Sequence, residues 1–222
     1  MCILSTHTNL AENNIKLIIF DLGGVVINLH VERTIAAFTD LSGKTEEEVY
    51  TSYEQAAYFK AYEKGLISDA DFRNCIREDF ELDALDEQID EAWSAMLGTI
   101  PEERVEQIEK LCRKYTCVVL SNTNAIHEKA FHRILNETSS YNHLDQLFHQ
   151  VHFSHKWNMR KPDVEIYEKL LSHHQLSPEQ CLFMDDGELN LLEAAHLGIQ
   201  TVHIPRNSGF YSLLSDKIGI HD

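Results

Sequence analysis

Hydrophobic residues are concentrated in a few short runs along this chain, and each run stops abruptly at a polar residue or a proline. The runs contain β-branched and aromatic residues without strict polar alternation, which predicts strands that are covered on both faces, as in a parallel sheet. The runs, each with the residue that follows it, are Leu17–Phe20 before Asp21, Cys117–Leu120 before Ser121, Gln150–Phe153 before Ser154, Cys181–Met184 before Asp185, and Gln200–Ile204 before Pro205.

Helical patterns separate these runs. Apolar residues recur at helical spacing after Pro101, after Pro162 and after Asp186, where Gly198 stands in the position of a C-cap glycine. Because strand and helix patterns alternate, the sequence predicts an α/β fold with a Rossmann-like, doubly wound parallel sheet.

The segment between the first run and the rest interrupts that alternation, because it contains no strand-like run. Two helix-start boxes occur in it, Thr45-x-x-Glu48 and Ser68-x-x-Asp71, and they predict helices that begin at these points. The predicted division is an α/β core of residues 1–30 and 99–222, with a small α-helical cap domain inserted at residues 31–98.

Composition narrows the set of partners and compartments. The chain has 19 Lys and Arg against 36 Asp and Glu, a net charge of -17, and such a surface repels nucleic acid and anionic lipid.

The first residues have neither a basic start nor a long apolar stretch, so we expect no signal peptide, no membrane span and a cytoplasmic location. Nothing in the sequence indicates an oligomeric state. The five cysteines lack zinc-type pairing, which favours free thiols: Cys2, Cys75, Cys112, Cys117 and Cys181.

Polar residues follow the strand-like runs at the edge of the sheet where the working groups of such folds gather. They are Asp21, Ser121 and the adjacent pair Asp185 and Asp186. Three carboxylates that converge on one crevice cannot all stay ionised without a compensating cation. A hard divalent ion with oxygen ligands resolves that conflict, and magnesium is the usual choice beside phosphate.

Four segments of the sequence resemble, in order, the four motifs of the haloacid dehalogenase superfamily. Together they extend over most of the chain and identify it as a member of the capped branch of that superfamily. The segments are Ile-Ile-Phe-Asp21-Leu-Gly23-Gly24, Val-Val-Leu-Ser121-Asn122-Thr, Met-Arg-Lys161-Pro162-Asp, and Phe-Met-Asp185-Asp186-Gly-Glu-Leu-Asn190.

The resemblance implies a magnesium-dependent phosphatase, a phosphoric monoester hydrolase that acts on a small phosphorylated metabolite such as a sugar phosphate. Asp21 would attack phosphorus and form an aspartyl-phosphate. The Asp21 carboxylate, the backbone carbonyl of Gly23 and Asp185 would hold the metal. Asp186 would bind the metal through water or orient Lys161.

The resemblance also assigns the groups that bind phosphate. Ser121 and the backbone amide of Asn122 would donate hydrogen bonds to phosphoryl oxygens, and Lys161 would add a positive charge and assist catalysis.

Gly23 departs from the commonest superfamily pattern, in which a second Asp two residues after the nucleophile acts as general acid and base. Three explanations are open: proton transfer through water or through Asn28 or His30, a preference for good leaving groups such as sugar 1-phosphates, or feeble catalysis. The Asp-Leu-Gly stretch and the insert resemble the branch that contains α-D-glucose-1-phosphate phosphatase and the amino-terminal domain of some epoxide hydrolases.

Two other functions compete with a phosphatase. A 2-haloacid dehalogenase shares the fold and the nucleophilic Asp, but its family lacks the paired acids seen here at Asp185 and Asp186. A catalytically weak protein that binds a phosphorylated ligand is the second alternative, because Gly23 replaces the usual acid.

The chain contains thirteen histidines, several of them close together in sequence. No Cys or carboxylate joins them at zinc-type spacing, so we expect solvated surface residues and not metal ligands. The histidines concerned are His143, His149, His152, His155, His173 and His174.

Overall fold

Five parallel strands form a single sheet in the computed structural model, which describes residues 14–219. The strands are β1 (Leu17–Phe20), β2 (Thr116–Ser121), β3 (Gln150–Phe153), β4 (Cys181–Asp185) and β5 (Gln200–His203). Their order across the sheet is β3-β2-β1-β4-β5, and every neighbouring pair is parallel. The predicted doubly wound α/β fold is therefore confirmed. Cys2 and the other residues before residue 14, for which no signal peptide is predicted, lie outside the described residues.

Twelve α-helices accompany these strands within residues 14–219. They are α1 (Val31–Ser42), α2 (Glu46–Gln55), α3 (Ala57–Glu63), α4 (Asp69–Phe80), α5 (Asp86–Ser94), α6 (Glu102–Cys112), α7 (Ala125–Thr138), α8 (Leu144–Leu147), α9 (Ser154–Trp157), α10 (Val164–His174), α11 (Glu188–His196) and α12 (Tyr211–Ile218).

Alternate residues of the central strand β1 pack against helices on opposite faces of the sheet. Ile18 and Phe20 belong to a cluster that contains apolar residues of α6, α7, α8 and α12. Leu17 and Ile19 belong to another cluster, together with residues of α10 and α11. All four side chains are buried, which explains why the run is apolar without alternation. β5 differs, because at the edge of the sheet its residues are only half-buried or exposed.

Helices α1 to α5 occupy the insert and pack around a separate hydrophobic cluster, which also contains Ile126 of α7. Both predicted start boxes are present, since Thr45 and Ser68 each accept a hydrogen bond from the backbone three residues on. A single antiparallel bridge between Leu29 and Leu97 brings the two ends of the insert together. The division into a core and a cap domain at residues 31–98 stays a prediction.

The insert contacts the sheet-bearing part of the chain at defined points. Glu63 at the end of α3 pairs with Arg160 at 3.0 Å, and Lys64 pairs with Asp163 at 2.7 Å. Gly65, with φ of +64°, lies so close that a Cβ atom there would be 2.2 Å from the carbonyl oxygen of His155. These contacts hold the insert against the segment that contains Lys161.

The expectation that the histidines are solvated is wrong for His152, which is 5% exposed. Its ring, on β3, packs against Trp157 of α9 and the end of α10, and the sequence does not reveal these contacts. His143, His149 and His173 are exposed as expected, while His155 and His174 are partly buried. Among residues 14–219, the helices are too short or too polar to cross a membrane.

Candidate active site

Asp21 lies directly after β1, at the carboxyl edge of the central strand. Its backbone amide donates to the carbonyl of Met184 at 2.8 Å, which continues the pairing of β1 with β4 by one residue. The residue is 8% exposed. Because β2 and β4 flank β1, the residues that follow those strands lie on either side of Asp21, as the sequence predicts.

Lys161 joins the carboxylates of two strands. Its Nζ lies 2.7 Å from Asp21 Oδ1 and 2.6 Å from Asp185 Oδ2, and the side chain is 1% exposed. Burial alone would lower the pKa of Lys161, but the charges of Asp185 and Asp21 outweigh it and raise the pKa. The ammonium group is therefore charged at neutral pH.

Asn122 fixes the backbone of Lys161 through two hydrogen bonds. The amide nitrogen of Lys161 donates to Asn122 Oδ1 at 2.8 Å, and Asn122 Nδ2 donates to the Lys161 carbonyl at 2.9 Å. Ser121, at the end of β2, is 3% exposed, and its hydroxyl lies 3.4 Å from the Asn122 carbonyl. The phosphate-binding roles of Ser121 and Asn122 stay predictions, whereas the clamp on Lys161 is a role of the Asn122 side chain that the motif alone did not suggest.

Asp185 is fully buried and accepts hydrogen bonds at both carboxylate oxygens. Oδ1 accepts from the Gly187 amide at 2.7 Å and from Asn190 Nδ2 at 3.0 Å, while Oδ2 faces Lys161. These bonds hold the carboxylate in one orientation. Asn190, named in the sequence as part of the fourth motif, thus positions Asp185.

Asp186 has a different partner from the one considered in the sequence. Its Oδ2 lies 2.6 Å from Arg206 Nε, while Lys161 Nζ forms its ion pairs with Asp21 and Asp185. Arg206 follows β5 and Pro205, so it obeys the same strand-end rule that located Asp21. The strand-end rule points to Pro205, the residue after that run, and Arg206 is the next residue along the chain.

Gly24 provides the space in which Asp186 and Arg206 meet. Its φ is +77°, and a Cβ atom there would lie 2.7 Å from Asp186 Oδ2 and 3.1 Å from Arg206 Cγ. A side chain at this position would therefore be strained and would collide with the acid. The second glycine of the first motif is required by this close approach.

Negative charge is concentrated at this site. Burial raises the pKa of Asp21 to about 7, and the charges of Asp185 and Asp186 act in the same direction while Lys161 opposes them. A carboxyl with this pKa is readily protonated unless another positive charge stabilises its ionised form.

The three acids fit a hard divalent cation. Asp21, Asp185 and Asp186 can each present one carboxylate oxygen, and these atoms lie within 4.8 Å of one another. Only two cationic side chains, Lys161 and Arg206, form ion pairs with them in residues 14–219. An all-oxygen donor set with an unbalanced negative charge is the type of site that magnesium prefers. The metal-binding roles of these acids and of Gly23 stay predictions.

Asn28 and His30, the candidates for a substitute acid, are engaged elsewhere. Asn28 Nδ2 donates to Thr99 Oγ1 at 3.3 Å, and His30 Nδ1 lies 3.2 Å from Glu32 Oε1. Within residues 14–219, neither forms a hydrogen bond with Asp21. The position of the missing acid is spacious, since a Cβ atom on Gly23 would meet only the Leu29 side chain, at 3.4 Å.

Comparisons with known proteins agree with this arrangement. The sequence model of the haloacid dehalogenase-like hydrolases matches residues 15–198. D-ribitol-5-phosphate phosphatase of Bacteroides thetaiotaomicron is 25% identical over 187 residues, which are 84% of this chain and 90% of that protein.

Solved structures of relatives extend the similarity to the fold. A haloacid dehalogenase family enzyme of Bacteroides thetaiotaomicron, in complex with magnesium and inorganic phosphate, is 34% identical, with a TM-score of 0.82 over 90% of this chain and 98% of that chain. A haloacid dehalogenase-like hydrolase of Porphyromonas gingivalis is 26% identical, with a TM-score of 0.84 over 93% and 99% of the two chains. This chain belongs to the haloacid dehalogenase-like hydrolases.

Proposed function

We propose that this protein is a magnesium-dependent phosphatase that hydrolyses phosphate monoesters of small metabolites, sugar phosphates among them, through a covalent intermediate on Asp21. The observation that carries the proposal is the contact of Lys161 Nζ with both Asp21 and Asp185, beside the third acid Asp186. A nucleophilic carboxylate, a buried cation and a pair of acids suited to a metal are what phosphoryl transfer needs at one point.

In the first step, an oxygen of Asp21 attacks phosphorus, and the bond from phosphorus to the ester oxygen breaks. Lys161 contacts Oδ1, which leaves Oδ2 for the attack, and its charge lowers the pKa of the Asp21 carboxyl against the effect of burial. The leaving alcohol takes a proton from water, and an aspartyl-phosphate remains. Water then attacks phosphorus, which releases inorganic phosphate and restores Asp21.

The chain's own residues would hold the metal beside this carboxylate: Asp21, Asp185, the Gly23 carbonyl and, through water, Asp186. When bound, magnesium offsets the repulsion between carboxylate and phosphate and stabilises the charge of the transition state. Ser121 and the amide of Asn122 would donate to the phosphoryl oxygens, and the Asn122 clamp keeps Lys161 within reach of the same oxygens.

The leaving group is protonated by water in this proposal, because residue 23 has no side chain. Losing a positioned acid costs roughly a hundredfold or more in rate, so esters with good leaving groups should react best. This supports sugar 1-phosphates as one test group.

Polar groups of the insert lie near Arg206, the partner of Asp186. Arg206 is 53% exposed, and Tyr53 of α2 is close enough to Glu63 and Arg206 for their charges to affect its pKa, which burial raises to about 12. Neutral hydroxyl, carboxylate and guanidinium groups suit a polyhydroxylated substrate. The similarity to a D-ribitol-5-phosphate phosphatase supports pentitol and pentose phosphates as a second test group.

The test is phosphate release by the wild-type protein and by Asp21→Asn, each with magnesium and with a chelator, against both groups of esters. We expect magnesium-dependent release by the wild type and at least about a thousandfold loss in Asp21→Asn. Phosphate release that survives Asp21→Asn, or no release from any ester, would contradict the proposal.

Two outcomes would instead support the competing functions. Halide release from a 2-haloacid, unaffected by the chelator, would indicate a dehalogenase. Tight binding of phosphate in the presence of magnesium, without turnover of any ester, would indicate a ligand-binding protein. Gly23 is the observation that favours this second candidate.

We also propose a cytoplasmic location, which the free thiols at Cys75, Cys112, Cys117 and Cys181 support.

A further inference from the structure

Three histidines meet on the opposite side of β2 from β1, away from the acids of the active site. His152 belongs to β3, and His173 and His174 are the last two residues of α10. One ring nitrogen of each lies within 4.8 Å of one ring nitrogen of the other two. The three residues are 22 positions apart at most in sequence, but no regular spacing reveals that they meet.

From this convergence we infer a second metal site, in which His152, His173 and His174 bind a transition-metal dication, Zn²⁺ in particular. Three imidazoles are a ligand set that zinc accepts, with an open fourth position for water. Magnesium avoids such a set, because it prefers oxygen ligands. The site therefore differs in chemistry from the three acids around Lys161.

The closest pair already has nearly the separation that a shared metal needs. His152 Nε2 and His174 Nε2 are 3.0 Å apart. Two nitrogens at zinc bond lengths in a tetrahedral site are roughly 3.3 Å apart, so a change of a few tenths of an ångström is sufficient. His173 is exposed at the end of the helix, and its Nε2 lies 2.9 Å from Gln150 Oε1, which holds the ring near the other two.

The neighbouring side chains restrict the position of the His152 ring. His152 is 5% exposed, and the rings of His173 and His174 lie against it, each with its centroid 5.2 Å from that of His152. The Trp157 ring, with its centroid 4.4 Å from that of His152, covers one side.

Some charges around the three histidines favour a bound cation and others oppose it. The carboxyl end of α10 is the negative end of the helix dipole, which favours a cation beside His173 and His174. Lys169 is the opposing charge, but its Nζ lies over the Trp157 ring, 4.8 Å from the centroid.

Coordination at this point would fasten the end of α10 to the edge strand β3. α10 begins just after Lys161 and Pro162, so the metal would stabilise the helix that follows the active-site lysine.

Metal titration of the whole protein tests this inference. The protein is stripped with a chelator, supplied with excess magnesium to occupy the acidic site, and titrated with Zn²⁺ against a chromophoric competitor and, separately, with Co²⁺. We expect one equivalent of Zn²⁺ to bind, a rise in Tm, and visible Co²⁺ absorption of a nitrogen-bound ion. Mutation His173→Asn or His174→Asn should weaken binding at least about tenfold and change the spectrum.

A second close pair of histidines provides the control. His143 Nδ1 lies 3.2 Å from His132 Nδ1, and no third histidine or carboxylate is grouped with them in residues 14–219. Mutation His143→Asn should leave the titration unchanged. Zn²⁺ binding that survives both His173→Asn and His174→Asn, or that His143→Asn also abolishes, would overturn the inference, as would the absence of any bound Zn²⁺. Because the readout is binding and not hydrolysis, failure here is distinct from failure of the proposed phosphatase.

Discussion

Lys161 Nζ lies 2.7 Å from Asp21 Oδ1, and both side chains are buried at the carboxyl edge of the sheet. The lysine reaches this point from the segment before α10, 140 residues further along the chain. It offsets part of the charge that the acids bring together, and it leaves the other oxygen of Asp21 for an incoming phosphate. The pair is thus both a structural contact and the centre of the proposed chemistry.

Lys161→Met should be destabilising and inactive. Without the ammonium group, Asp21 and Asp185 lose a buried partner, which typically costs about 3–5 kcal/mol in the free energy of unfolding. The rate of phosphate release should fall at least about a hundredfold. Urea denaturation with and without magnesium measures the first effect, and magnesium should stabilise the variant more than the wild type, because it supplies the missing charge.

Lys156→Met is the matched control for this variant. Lys156 pairs with Glu128 at 2.6 Å, but its side chain is 55% exposed, and such pairs contribute about 1 kcal/mol or less. The control should retain activity and respond to magnesium like the wild type. Equal effects of magnesium on both variants and the wild type would contradict a cation site beside Lys161.

Gly23→Asp should add the general acid that residue 23 lacks. A Cβ atom fits there, with its nearest contact 3.4 Å away at the Leu29 side chain. We expect a larger gain with alkyl phosphates than with aryl phosphates, by about tenfold or more, since protonation matters most for poor leaving groups. The measurement is kcat/KM across a series of esters with leaving groups of graded pKa.

Gly24→Ala serves as its neighbour control. A Cβ atom on Gly24 would lie 2.7 Å from Asp186 Oδ2, at a backbone φ of +77°. This variant should lose activity with every ester alike. If Gly23→Asp also loses activity uniformly, the space at residue 23 is not available for an acid, and the explanation for the missing group must be sought elsewhere.

Gly65→Ala should loosen the contact between the insert and the sheet-bearing part of the chain. Its Cβ atom would meet the His155 carbonyl at 2.2 Å, so one backbone must move. Gly43→Ala has a similar φ of +67° but nothing within 4 Å of its Cβ, so it reports backbone strain alone. We expect Gly65→Ala to lower the free energy of unfolding by at least about 1 kcal/mol more than Gly43→Ala. Equal losses in urea denaturation would show that the His155 contact yields easily.

His127 should make stability depend on pH. Burial lowers the pKa of this ring to about 4, and its Nε2 donates to the Trp93 carbonyl at 3.0 Å, which joins α7 to α5. The ring therefore takes up a proton near pH 6.5 in the unfolded chain but only near pH 4 in the folded chain. The free energy of unfolding is therefore largest above pH 6.5 and falls as the pH drops towards 4. Between pH 7.5 and 5 the loss should be about 2 kcal/mol.

His127→Gln keeps a donor for the Trp93 carbonyl but does not titrate. Denaturation at the two pH values should show a smaller loss for this variant than for the wild type, while the exposed substitution His143→Gln should leave the loss unchanged. The same acid sensitivity in His127→Gln and the wild type would assign the loss to other groups.

The fold was largely predictable because burial dictates composition. β1, β2 and β4 are covered on both faces, so their unbroken apolar runs predict strands and the residues that end them. The order of the strands depends on contacts between distant parts of the chain, and no local pattern contains that information. The half-buried residues of β5 show the same limit, since the sequence does not reveal which strand lies at the edge.

The same division between local pattern and distant contact holds for the candidate site. Asp21, Lys161, Asp185 and Asp186 were predicted because strand ends and motifs place them, but their pairing was not. Arg206 as the partner of Asp186, and the Asn122 clamp on the Lys161 backbone, depend on loop geometry. The meeting of His152 with His174 depends on where the end of α10 lies beside β3, which is a tertiary property.

The strand order also governs how the chain can fold during synthesis. β1 is made before the other four strands and occupies the middle of the sheet, yet β4, one of its two neighbours, begins only at Cys181. Until that segment leaves the ribosome, one backbone edge of β1 lacks its native partner, and such edges recruit other strands. A nascent chain stalled before residue 181 should therefore depend on chaperones to a greater extent than the finished protein does.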